Sequence, residues 1–188
     1  MQVPPLPTSP DEGHGRWRPV LWGLLVAIAV LPLLAMQVTD EVRWSLSDFL
    51  LFAAMLGGAG AFFELAARVS RRTPFRLAAG IAVGTAFLLV WANAAVGLLG
   101  PGGAASNLLA YAVPVVMLAG TVLARFRARA MTRVMWWTAA TQVLVGLAAF
   151  LPAAHATDSP LAWNIAGMTA SFVLLWLLAG ALFLRAAR

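Results

Sequence analysis

LAAGIAVGTAFLLVWANAAVGLL, residues 77–99, runs for 23 residues without one charged side chain. At 1.5 Å of rise per residue, a helix of that length crosses the roughly 30 Å hydrocarbon layer of a bilayer. Its only amide side chain is Asn93. Working outward, five more stretches read the same way: 20–38, 48–67, 108–124, 134–154 and 161–184. Backbone N–H and C=O groups have no partner in lipid other than each other, so these segments are helices. The ten-residue alternating pattern of a membrane β-barrel is missing. The reading is therefore an all-α polytopic membrane bundle of six transmembrane helices.

Composition agrees. The 188 residues are 62% hydrophobic and 11% charged, against about 25% charged in an ordinary soluble domain. Soluble enzymes, nucleic-acid-binding domains and disordered chains are excluded on that balance, so the net charge of +6 is a topology signal rather than a nucleic-acid footprint. With no cysteine, disulfides, thiolate metal sites and cysteine nucleophiles do not arise. Residues 1–15, MQVPPLPTSPDEGHG, are proline-rich and polar and predict a disordered tail. Residues 16–188 then form one transmembrane domain. Arg16 and Arg18 before an apolar run also resemble a signal peptide. The run is long for one and no clean small-residue cleavage site follows Leu34-Ala35-Met36, so the first span is expected to stay; its removal would leave five.

All thirteen basic residues are arginine. Twelve of them fall before the first span, between spans 2 and 3, between spans 4 and 5, and after span 6; Arg43 stands alone on the other side. By the positive-inside rule both termini are cytoplasmic, and the compartment is the bacterial inner membrane. Trp17, Trp22, Trp44, Trp136, Trp137 and Trp163 lie near span ends, as aromatic belts do. The arginine loops 68–76 and 125–133 also suit anionic lipid headgroups or a cytoplasmic partner.

The runs Leu31-Pro32-Leu33-Leu34-Ala35-Met36-Gln37-Val38-Thr39-Asp40-Glu41-Val42-Arg43-Trp44, Ser47-Asp48-Phe49 and Phe87-Leu88-Leu89-Val90-Trp91-Ala92-Asn93-Ala94-Ala95-Val96-Gly97 carry a family resemblance. So do Glu64-Leu65-Ala66-Ala67-Arg68, Ala124-Arg125-Phe126-Arg127 and Leu174-Leu175-Trp176. On these runs the chain resembles a group of small, uncharacterised bacterial inner-membrane proteins with DEVxW, DFL and LLVWxNxAVG motifs. The resemblance implies the architecture and no activity. Members of that group carry an acidic, serine-containing loop after the third span. Here the loop is Gly100-Pro101-Gly102-Gly103-Ala104-Ala105-Ser106-Asn107, without an acid.

Five side chains are candidates for a ligand or transport path: Glu64, Trp91, Asn93, Gln142 and Asn164. Intramembrane ionisable groups are costly and often functional, but Glu64 has Arg68 at i+4, which predicts a structural pair. Trp91 and Asn93 are expected to point into the bundle, with Asn93 bonded to Gln142 or Asn164. Asp40, Glu41, Asp48, His155 and Asp158 gather on the outer side, without the spacing of a metal site, and Ser47-Asp48 reads as a helix start. No metal or cofactor is expected. Gly57, Gly58, Gly60, Gly80 and Gly84 form small-residue strips suited to close helix packing, within the chain or with a second copy. No phosphate loop, nucleophile elbow or H-E-x-x-H is present. The expected function is a non-enzymatic accessory, scaffold or assembly subunit. The alternative is a carrier or channel for a small solute or proton along the five polar residues, and an enzyme acting on a lipid or quinone ranks third. In either case the partners are the bilayer and a membrane protein or second copy, not nucleic acid.

Overall fold

The computed structural model describes residues 17–39, 41, 43–100, 106–155 and 160–188. The expected tail 1–15, Asp40, Asp158 and loop residues 101–105 lie outside these. Among the described residues the chain is all-α: α1 Trp17–Val38, α2 Leu46–Val69, α3 Thr73–Val96, α4 Ser106–Ala110, α5 Ala112–Ala124, α6 Ala128–Ala154 and α7 Pro160–Ala186. Five of these, together with the α4–α5 segment Asn107–Ala124, make six stretches long and apolar enough to cross a membrane. This is a multi-pass membrane protein.

The fourth span is interrupted because Pro114 has no N–H to give the carbonyl of Ala110. The ladder lapses at Tyr111, whose N–H turns back to Leu108 at 3.2 Å. α3 begins four residues before the apolar run. Its N-cap is Arg72 (φ −68°, ψ 126°) and a proline occupies its first turn, where a missing N–H costs nothing. It also ends three residues early, at Gly97 (φ 73°), in a conformation that glycine adopts without a Cβ penalty.

The chain divides into two compact units, Met1–Gly60 and Ala61–Arg188. In the first, Leu25 and Trp22 of α1 lie against Gly60 of α2, where a Cβ would collide with Leu25. Ser45 and Asp48 cap α2 reciprocally. The Asp48 carboxylate accepts from the Ser45 N–H at 2.8 Å and from its hydroxyl at 2.7 Å, and Ser45 Oγ accepts from the Asp48 N–H at 3.3 Å. That is a capping box beginning two residues before the Ser47 that the sequence suggested. Trp44 covers this helix start, with its ring 5.3 Å from Phe49 and 5.2 Å from Phe52.

In the second unit α7 packs against both α3 and α6, α6 also against α5, and α4 and α5 reach α3. Small residues set the spacing. Ala78, Ala79 and Ala82 of α3, Ala139 of α6 and Ala179 of α7 are all buried. Gly146 of α6 meets Thr169 of α7, and Gly180 of α7 meets Met135 and Trp136 of α6. Phe75 and Phe183 join α3 to α7 edge to face at 5.1 Å, an arrangement that aromatic quadrupoles favour.

Two three-residue turns carry four of the thirteen arginines, Arg71, Arg72, Arg125 and Arg127. In the first, residues 70–72, Arg76 donates to the carbonyls of Ala67 and Ser70 at 3.2 Å, and Arg72 reaches Ala186 O at 2.7 Å. Helix-end carbonyls without intrahelical donors are thereby closed by cations, which the helix dipole also favours. The second, residues 125–127, holds Arg125 (φ 47°) and Phe126 (φ 56°) both left-handed, at a cost of about 1–2 kcal/mol per residue. Phe126 packs on Phe62 at 5.7 Å.

Candidate functional site

The five polar candidates do not come together. Glu64 lies in the last two turns of α2, its side chain 9% exposed, paired with the 63%-exposed Arg68 at 2.5 Å. Trp91 is 38% exposed on α3 and so does not turn inward as expected. Asn164 is exposed near the start of α7. Asn93 and Gln142 are buried, in different places.

Asn93 differs most from expectation. Because α3 stops at Val96, Asn93 occupies the last helical turn rather than a position deeper within the span. Its partners are neither Gln142 nor Asn164. Its Nδ2 donates to the carbonyl of Asn107 at 2.9 Å, and its Oδ1 accepts from the Leu98 N–H at 3.2 Å. Asn107 answers from α4: its Oδ1 accepts from the Leu99 N–H at 2.9 Å, and its Nδ2 approaches Gly100 O at 3.4 Å. Two asparagines thus pair the backbone groups that the helix end releases, in a place where Leu98, Leu99 and Asn107 are all buried. Gly97 fits against this clasp, since a Cβ there would stand 2.6 Å from Asn107 Nδ2 and 2.7 Å from Gly100 O. Nothing in the spacing singled out Asn107; its role needs the fold of the loop.

Gln142 lies at mid-length of α6, and its Oε1 has no hydrogen-bond partner. The same holds for Nε1 of Trp176, a fully buried tryptophan at mid-length of α7. An unpaired buried polar group costs about 1–3 kcal/mol. The buried threonine hydroxyls turn back on their own helices: Thr85 donates to Ile81 O, Thr121 to Met117 O, Thr132 to Ala128 O and Thr138 to Val134 O, at 2.6–3.2 Å. Nothing in the sequence sets Trp176 apart within the apolar run 161–184.

Of the acidic and histidine residues expected on the outer side, two make local bonds, while Asp40 and Asp158 lie outside the described residues. Asp48 is held by Ser45, and His155 Nδ1 sits 2.5 Å from Leu151 O. Between α6 and α7 runs an open groove of about 320 Å³, lined by Val143, Gly146, Phe150, Thr169, Ala170 and Val173 among others. It is apolar, as a surface facing acyl chains is.

Glu64→Gln is expected to leave the thermal midpoint in detergent nearly unchanged. Its partner Arg68 is 63% exposed, glutamine keeps an oxygen acceptor for it, and i,i+4 pairs contribute about 0.3–0.5 kcal/mol. A melting scan with a matched abundance measurement checks this; a large drop would show that the carboxylate charge is required.

Comparison of the chain with protein-family models, curated proteins and solved structures returns no match.

Proposed function

We propose that the chain is a non-enzymatic accessory, scaffold or assembly subunit of the bacterial inner membrane, acting through its helix faces. One observation carries this reading: the polar side chains that a transport path would need are dispersed. Glu64 is spent on Arg68, Asn93 on a loop, and Trp91 and Asn164 lie exposed. A carrier needs polar groups that converge on one hydrated route. The resemblance to small inner-membrane proteins belongs to the same proposal, as do the cytoplasmic termini and the contact of the arginine turns with anionic headgroups. In support of the orientation, Arg71, Arg72 and Arg76 share one end of the helices with Arg125, Arg127 and Arg129. Reporter fusions at Thr73 and Ala130 are expected to read as cytoplasmic, and at Gly103 and Ser159 as periplasmic. A periplasmic signal at Ala130 would overturn the topology.

Within the first unit, Gly57 and Gly58 of α2 offer a partner one such face, since α1 leaves space for an added Cβ there. Backbones approach closely at such places. The test is purification of the tagged chain from native membranes in mild detergent. A membrane protein or second copy should co-purify at fixed stoichiometry and be released by Gly57→Leu with Gly58→Leu, the chain itself staying folded. A partnerless chain that moves protons or a solute across liposomes would reverse the ranking and put the carrier first.

A further inference from the structure

The second unit holds two complementary, unpartnered buried polar atoms, Gln142 Oε1 and Trp176 Nε1, and the helix register brings them to one level. The contacts of Gly146 with Thr169, and of Gly180 with Met135 and Trp136, fix the antiparallel register of α6 and α7. Trp176, seven residues beyond Thr169 and four before Gly180, therefore stands across from Ala139 and Ala140. Thr138 and Gln142, one turn apart on a single stripe of α6, bracket that level. On α7, Trp176 lies angularly between Phe183, which faces α3, and Gly180, which faces α6. Its indole is thus aimed at the space the helices enclose. Thr138 is fully buried, Gln142 is 4% exposed and Trp176 0%.

The chemistry of the three is complementary to one small molecule. Trp176 Nε1–H is a donor without an acceptor, and Gln142 Oε1 an acceptor without a donor. Thr138 has given its proton to Val134 O and keeps a lone pair free to accept. One donor and two acceptors match a water molecule, and buried waters typically make about three such bonds.

We propose that Trp176, Gln142 and Thr138 bind a single water molecule that bridges α6 and α7 at the middle of the membrane. The water oxygen accepts the indole proton, and its two O–H groups donate to Gln142 Oε1 and Thr138 Oγ1. The residues at this level of the register, Ala82, Met135, Ala139 and Ala179, are buried and apolar, which suits a single bound water rather than a hydrated path.

The full chain, labelled with ¹⁵N at the indole nitrogens and reconstituted in nanodiscs, tests this by NMR. Trp176 is the buried one among eight tryptophans, so its resonance is the one shielded from both lipid-soluble and aqueous paramagnets; Trp176→Phe removes it. A magnetisation-transfer peak between this indole proton and water is expected, and Gln142→Leu should abolish it. Each single variant should lower Tm by roughly 3–8 °C, and the double variant by clearly less than the sum, because both remove the same bridge. A contact from the indole to the Gln142 amide without water would replace the bridge with a direct bond and overturn the proposal. So would a water contact unchanged in Gln142→Leu. Single variants that are neutral or stabilising, with additive effects, would show two independently tolerated orphans and overturn it as well. If a variant does not fold, the water contact in the unmodified chain decides alone.

Discussion

Asn107→Leu is expected to lower the thermal midpoint of the purified protein by about 5–15 °C, taking about 1–3 kcal/mol for each buried group left unpaired and about 2–4 °C per kcal/mol. The substitution keeps the side chain near its original size and deletes its hydrogen bonding. The Leu99 N–H loses its acceptor and Gly100 O its approach to Nδ2. Leu98 and Leu99 are 8% and 6% exposed, so water cannot readily replace the lost partner. Asn93→Leu is expected to act in the same direction, by freeing the Leu98 N–H and the Asn107 carbonyl. Because both asparagines hold one loop, the double variant should cost less than the two single changes together. Differential scanning fluorimetry on the four proteins checks this. Additive losses would mean that the asparagines act separately; an unchanged midpoint in Asn107→Leu would mean that the clasp contributes nothing.

Gly146→Leu is the second large effect, and it works through volume. A Cβ at residue 146 would overlap Thr169 Oγ1 and Cγ2 and stand 2.9 Å from Thr169 Cβ, so α6 and α7 must separate. Overpacking of this kind costs about 1–3 kcal/mol, occasionally more. Membrane helices also lack a hydrophobic drive to re-close, relying on van der Waals fit. A Tm drop of about 5–10 °C is expected on the same scale. Removing the obstruction with Thr169→Gly should recover most of the loss in Gly146→Ala, the smallest version of the clash. Failure of that rescue would place the strain elsewhere.

The architecture was legible because hydrocarbon permits few sequences: runs such as 77–99 declare themselves by length and by lack of charge. Helix ends were less legible, since apolarity and helicity stop at different residues. Gly97-Leu98-Leu99 continues the apolar run while φ at Gly97 ends the helix. At the other end, Pro74 marked the true start of α3, and Arg76 hid it by breaking the hydropathy. That four-to-three-residue displacement moved Asn93 from within the span to the last turn of the helix and changed its partners. Of the polar candidates, Glu64 with Arg68 was readable because an i,i+4 pair is local. Asn107 and Trp176 were not, since their surroundings come from residues distant in the chain or on another helix.

The two arginine-bearing turns, residues 70–72 and 125–127, bear on biogenesis. A three-residue connection, with one partner helix already hydrogen-bonded to the next through Arg76, leaves no slack for one helix to cross while the other waits. For α5 and α6, which also pack against each other, insertion into the bilayer as a hairpin is the expected course. Its charged tip stays behind, because carrying arginine through hydrocarbon is costly. Under the proposed orientation, the short arginine-bearing tips then set the direction of the crossings they join.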